Sequence, residues 1–527
     1  MTKMKVRGAA LALALAGTAI SGALSAVVAQ EATFVLTARW VGAPTYNPIK
    51  ATKLNTATTL IYDRLVVQDA DQSFHGQLAT SWETTADGKQ WTFKLKPGVK
   101  FHNGEPFNAK TIEWWVPQFK GTENAFTVEA IERVEVINDL TVRFHMKNPD
   151  PNLLSNLASS FMCIPEPKSY QALGDKFGVS EAVGTGPYKL QQFTVGQQTV
   201  LVRNDDYAWA SDLSKNQGPA KFKKLTFREI AEESTAYLEL KTGGADLIVA
   251  VPTDFLPRMQ ADKSIKVVTI PGTELVYMPI NTNVEPFTDI KVREATAFAV
   301  NQAEIMKSLY GGLGQVADTF LISSLQESKV DPKYKINYDP ERSKRLFDEA
   351  GWKLGPNGIR VKEGKPLQVK FWAQNGTEFK RLAEVLQAQL KAVGMQADIT
   401  ILDSSTINSQ YRKKTDHQLA VRAYLWTNAD IVDWFFSAKR LGYPNVSMFN
   451  DPEAEKLNDT AMNRSRNWDE RVVNFTRYHE YVLSQYPFAP IYQPVQLFAH
   501  GKRVAMPEKI RGSGLSSQSI IDIEPVN

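Results

Sequence analysis

Cysteine is almost absent. Cys163 is the only one in 527 residues, so no intramolecular disulfide can form. It lies in the apolar run Phe161-Met162-Cys163-Ile164 and reads as a small buried hydrophobe rather than a reactive thiol. Charge of one sign is also scarce. The formal net charge is +4, and Lys3, Lys5 and Arg7 at the extreme N-terminus account for most of it. There is no long block of consecutive Lys or Arg, so nothing calls for a nucleic-acid partner. Beyond the N-terminal segment no stretch reaches 18 uninterrupted apolar residues, which excludes a later membrane-spanning helix.

Catalytic signatures are missing as well. The chain has no GxSxG, HExxH or GxxxxGK[ST] pattern. Gly312-Leu313-Gly314-Gln315-Val316-Ala317 fits a loose dinucleotide pattern, but it follows a helical stretch instead of the required strand. In Gly184-Thr185-Gly186-Pro187-Tyr188 the proline lacks an N–H where a phosphate cradle needs donors, so a rigid turn is the better reading. No two of the six histidines fall at metal-ligand spacing, and no metal or other cofactor is expected.

The N-terminus has the form of a secretory signal. A basic start is followed by the apolar run Ala9 to Ile20, and Val27-Val28-Ala29 supplies small residues for cleavage before Gln30. Residues 1–29 are therefore expected to be removed on export. No cysteine near the cleavage site can carry a lipid anchor, which favours a periplasm. The length implies two or three lobes.

Alternation marks strands in the first half. Trp91, Phe93 and Leu95 alternate with Thr92 and Lys94, and Asp87-Gly88, Pro97-Gly98 and Asn103-Gly104 punctuate the segment as turns. A second hairpin follows, with Val134 and Val136, a turn at Asn138-Asp139, then Val142, Phe144 and Met146. After about residue 290 the pattern becomes α/β. Asp339-Pro340 starts a helix that Gly351 ends; Thr377 opens another that Gly394 closes; Met395, Ala397, Ile399 and Ile401 alternate as a strand.

Residues 418–434 carry the candidate recognition chemistry. Leu419, Val421, Ala423 and Leu425 are expected on a core face, with Arg422, Tyr424 and Trp426 opposite. Asp430 and Asp433 follow at the strand end. A cation, aromatic surfaces and an anion together suit a zwitterionic ligand. The competing readings are a loop-capping or hinge carboxylate for Asp430, a surface ion pair for Arg422 and core packing for Trp426.

Several segments together resemble the peptide/nickel family of extracellular solute-binding proteins of ABC importers, the dipeptide- and oligopeptide-binding group. They are Leu78-Ala79-Thr80-Ser81-Trp82-Glu83, Trp91 to Lys96, and Gly98 to Phe107. Gly184 to Tyr188, Asn281 with Pro286-Phe287 and Asp289, Val292 to Ala295, Tyr338 to Glu341, and Glu349 to Trp352 complete the set. The resemblance runs from about residue 30 to about 505. It implies a two-lobed α/β periplasmic binding protein fold with an inserted β-rich subdomain. Lobe I would comprise 30–54, 186–282 and 496–527, the insert 55–185, and lobe II 283–495.

The same resemblance implies a monomeric, non-enzymatic receptor. It would close on a short peptide or peptide-like solute between its lobes and hand it to importer permease subunits. Trp426 and Asp430 match the family's ligand segment, in which the aspartate pairs with a peptide's α-amino group. Ile431 and Trp434 depart from it, standing where the family has Tyr and Pro. Trp40 and Tyr46 would face the cleft, and Tyr277 would lie at a lobe crossing. Nickel chelates, oligosaccharides and opine-like compounds are alternative solutes on this fold. A secreted hydrolase and a chaperone-like surface protein are the alternatives of other classes.

Overall fold

The computed structural model describes residues 31–37, 42–251, 253–413, 417–512 and 514–526. Residues 1–29, expected as a signal peptide, and the candidate Trp40 lie outside the described residues. In the first strand, Glu31–Leu36, Phe34, Val35 and Leu36 are all buried, so both faces are covered. Such a strand belongs inside a sheet. It runs parallel to Leu247–Val249 on one side and to Lys224–Glu229 on the other. The seven-stranded sheet continues outward through Gln198–Arg203 to Tyr188–Thr194, and through Val495–His500 to Lys266–Pro271. Chain segments from the beginning, the middle and the C-terminal end thus share one sheet. Helices Glu233–Thr242 and Leu256–Ala261 cover one face, where Tyr237, Leu240 and Met259 pack on Val35 and Ile248.

The alternation of Trp91, Phe93 and Leu95 produces the strand Gln90–Leu95, with all three side chains buried. It pairs antiparallel with Ala79–Thr84 and with Thr141–Met146, and Ile131–Asn138 lies beyond. The second expected hairpin is therefore present. This four-stranded sheet does not have a core of its own. Phe93, Phe144 and Trp115 belong to the same apolar cluster as Phe34, Leu225 and Phe227 of the seven-stranded sheet, and Cys163 is buried within it.

The second apolar cluster is built on other strands. Gln315–Val316, Phe488–Gln493, Glu274–Pro279 and Arg422–Leu425 form an antiparallel sheet. Gln396–Leu402, Gln368–Gln374 and Leu419–Ala420 form a parallel one. Asp339 accepts the N–H of Arg342 with Pro340 at the first helical position, so Pro340–Glu349 starts as its sequence requires. Gly351 and Gly394 take the left-handed φ values of 85° and 94° that end their helices. No described helix is long and apolar enough to cross a membrane.

The sequence boundary drew Glu274–Pro279 with the first lobe, yet all its pairings lie in the second sheet system. Lys266–Pro271 and Glu274–Pro279 are two residues apart and read like one hairpin. Their real partners are more than 140 residues away, which local patterning does not register. The chain crosses between sheet systems at Gly272-Thr273 and returns at Pro494.

Candidate functional site

The two crossings touch. Gln493 Nε2 donates to the Gly272 carbonyl at 2.7 Å, and a Cβ at Gly272 would stand 1.8 Å from the Pro494 carbonyl oxygen. Only glycine permits that approach. The Trp426 backbone N–H donates to the Thr273 carbonyl at 3.2 Å, so the candidate recognition segment touches the crossing itself.

Beside the crossings lies a cavity of ≈ 320 Å³. Asn55, Arg64, Phe126 and Ser155 form one wall, Leu425 to Asn428 the other, and Thr273 and Gln496 the crossing end. A neighbouring cavity of ≈ 530 Å³ is lined by Asp150, Asp430, Asp433, Arg440 and Glu455. Phe126 and Asn156 belong to both. The Phe126 ring stands 6.5 Å from Trp426 and 5.6 Å from Trp434, closing contact between the two sheet systems. No cluster of His, Cys, Asp or Glu able to hold a metal occurs among the described residues.

Asp430 is 9% exposed and faces the larger cavity. Its Oδ1 accepts the Trp426 indole N–H at 2.7 Å. It occupies the N-cap position of helix Ile431–Phe436 but makes no side-chain capping bond there. Burial pushes its carboxyl up to about 6, against the opposing pull of Arg471. A carboxylate so placed, with one oxygen taken by an indole, can receive an ammonium group. Asp433 is differently placed. Its Oδ1 accepts from Asn458 at 2.6 Å and its Oδ2 from Arg440 at 3.2 and 3.1 Å, so both oxygens are occupied.

Trp426 lines the smaller cavity. Arg422 and Tyr424 share a strand face, as the alternation predicts, but that face is not the cleft. The Tyr424 hydroxyl donates to the Phe320 carbonyl, and its ring packs on Phe320 and Phe435. The Arg422 guanidinium lies 5.3 Å from the rings of Tyr411 and Tyr443 and reaches Asn408 at 3.4 Å. Tyr277, directly opposite Arg422 in the register, is buried among Phe320, Phe435 and Phe488. Leu425, expected in the core, is 44% exposed and lines the smaller cavity. The strand begins between two covered faces, at Leu419, Ala420 and Val421, all buried. Period-two alternation separates the faces of such a strand without saying which one emerges into the cleft.

Tyr46 lies behind the cavity wall. Its hydroxyl shares a 2.6 Å hydrogen bond with Thr199 Oγ1 and accepts from Asn55 Nδ2 at 3.2 Å; Asn55 in turn lines the cavity. Sequence reasoning missed three residues of the site: Arg64, Phe126 and Asn428. Asn428 Oδ1 accepts from the Asp430 N–H at 3.2 Å and from Arg471, and its Nδ2 approaches Asn152 Oδ1 at 3.5 Å. Arg471 pairs with Glu327 with both side chains fully buried. Nothing local in the sequence marks Arg64 or Phe126, and Asn428, which lies within the 418–434 segment, meets Arg471 and Asn152 from 43 and 276 positions away.

A model of the bacterial extracellular solute-binding proteins, family 5 Middle, matches residues 73–443. The chain belongs to this family. It is 31% identical over 375 residues to the nickel-binding periplasmic protein of Escherichia coli K12, covering 68% of each chain. It is 27% identical over 428 residues to the dipeptide-binding protein of the same organism, covering 74% of this chain and 75% of that one. Among solved structures, the ABC transporter substrate-binding protein CtaP of Listeria monocytogenes superposes with a TM-score of 0.81 at 20% identity, over 94% of this chain and 99% of that one. The fold is the two-lobed α/β architecture of periplasmic binding proteins, as the motifs implied. The family 5 protein is a solute-binding receptor of an ABC importer and not an enzyme, so the hydrolase alternative falls.

Proposed function

We propose that this family 5 receptor works in the periplasm after loss of residues 1–29 and binds a short peptide or peptide-like zwitterion between its lobes. The bound form then docks as a monomer on the permease subunits of its importer. The seven-stranded sheet with its fused β-rich insert forms one jaw. The other begins at the crossing near residue 273 and ends near 494. The observation that carries this reading is Asp430. It is a buried carboxylate on a cavity wall, anchored through one oxygen by Trp426 and free of any capping role. The dipeptide-binding relative supports the solute class.

Titration calorimetry with dipeptides and their N-acetylated forms tests it. Free-amine dipeptides should bind the wild type. Acetylation and Asp430→Ala should each cost about 2–5 kcal/mol, the cost of truncating one side of a buried charge pair. If acetylated and free dipeptides bind equally, Asp430 is not an amine anchor. If no peptide binds while the nickel–histidine complex does, the solute is a chelate, in line with the nickel-binding relative.

A further inference from the structure

Arg64 has no part in that account, and its surroundings are unusual for a buried arginine. It is 7% exposed. Its Nη1 donates to the Ala158 carbonyl at 2.6 Å, its Nε has no partner, and it makes no ion pair among the described residues. The adjacent Asp63 carboxylate attracts it through space but makes no hydrogen bond or close ion pair with it among the described residues. Asp63 accepts instead from Gln77, from Thr185 at 2.9 Å, from Tyr207 at 3.2 Å and from Trp209 at 3.1 Å. Other buried arginines have a counter-charge or more acceptors, although Arg471 also leaves its Nε without a partner. Arg471 pairs with Glu327, and Arg293, equally buried, donates to the carbonyls of Gln485, Phe287 and Thr288. A guanidinium stays charged at any physiological pH, so burying one without a counter-charge or a full set of acceptors is costly.

Arg64 lines the smaller cavity and is the only charged side chain among the described residues of its wall. Ser155 lies in the same wall, and its hydroxyl is buried without a partner. Phe126, Phe161 and Trp426 supply aromatic surface around them. We propose that Arg64 is the anion anchor of the site: the solute carries a carboxylate that Arg64 and Ser155 receive, with an apolar portion against Phe126 and Trp426. A volume of ≈ 320 Å³ sits at the lower end of small-molecule pockets, so the portion of the solute held there is small, while Asp430 faces the neighbouring cavity of ≈ 530 Å³. The inference rests on the reading of the interlobe cleft as the solute site. A carboxylate can come from a peptide C-terminus, an organic acid or a chelating amino acid, and Arg64 would treat them alike.

Three acid–amide pairs separate those sources: glycyl-phenylalanine and its C-terminal amide, 3-phenylpropionate and its amide, and the nickel complexes of histidine and histidinamide. At least one acid should bind the purified full-length mature protein roughly 30-fold or more tighter than its amide, the fold-change expected for a lost buried charge pair. The pair that shows the difference identifies the source. Arg64→Gln should erase the preference while the unliganded variant melts no lower than wild type, since a buried charge without a close ion pair has been removed. A purely structural Arg64 would lower the melt and leave the preference intact. Equal binding of acids and amides, a preference kept in Arg64→Gln, or no binding of any acid each overturns the proposal. Thr427→Trp, which fills the same cavity from the opposite wall, isolates the underlying reading. Acid binding that survives Thr427→Trp places the solute outside the cleft. Binding lost in Thr427→Trp but unchanged in Arg64→Gln refutes the Arg64 role alone.

Discussion

Replacing Asp430 by asparagine should make the unliganded receptor more stable at neutral pH and no different in acid. The side chain is buried, and its carboxyl is raised from 3.8 to about 6, chiefly by burial. The folded protein therefore holds the Asp430 proton more tightly than the unfolded chain does. Its contribution is most favourable below pH 3.8, declines as pH rises, and is lost once pH passes through about 6. The gap between those two values corresponds to about 3 kcal/mol, an upper bound for the effect at pH 7.5. The asparagine side chain would lack the charge but keep an oxygen to accept the Trp426 indole N–H, so the local hydrogen bond survives. Denaturant midpoints of both proteins at pH 4.5, 6 and 7.5 provide the assay, read as the difference between them. That difference cancels Asp63, whose carboxyl is likewise raised to about 6 and is present in both proteins. The variant should gain on wild type between pH 4.5 and 6 and level off toward 7.5. A difference that does not change with pH, or one that favours wild type at 7.5, refutes the burial argument. The same ionisation governs binding. Amine affinity of the wild type should weaken about tenfold per pH unit below about 6, as the anchor takes up its proton.

Gly272→Ala should force the two crossings apart, because its Cβ meets the Pro494 carbonyl oxygen. A destabilisation of about 1–3 kcal/mol in melts is expected, with small-angle scattering showing less compaction on ligand addition than wild type. Arg471→Ala should cost about 3–5 kcal/mol by stranding Glu327 in the interior, measured by denaturant titration. Removing both charges together as Arg471→Met with Glu327→Leu should recover much of that loss. N-terminal sequencing of exported protein should find a start at or near Gln30; a chain that keeps Lys3 to Arg7 and pellets with membranes contradicts the export reading.

Local order was legible in the sequence wherever the deciding interaction is itself local. Trp91, Phe93 and Leu95 alternate because a half-buried strand has period two, and they are the buried face of Gln90–Leu95. Asp339, Pro340, Gly351 and Gly394 mark helix ends because caps and left-handed turns involve residues within a few positions of one another. The family motifs brought the two-lobed architecture with them, along with the segment that holds Trp426 and Asp430. The tertiary structure alone decided which face of that segment meets the cleft. Leu419 to Val421 are covered on both sides, so alternation could not distinguish the side of Tyr424, packed on Phe320, from the side of Leu425, lining the cavity. It also decided that Asp433 is taken up by Arg440 and Asn458, and that Tyr46 stands behind Asn55. Arg64 had no signal at all, since an arginine within Ile61-Tyr62-Asp63-Arg64-Leu65 looks ordinary. Its lack of a close ion pair exists only because folding places Ala158, 94 positions away, against it and turns Asp63 toward other donors. Burial and charge compensation are sums over neighbours in space, and a linear sequence does not record who those neighbours are.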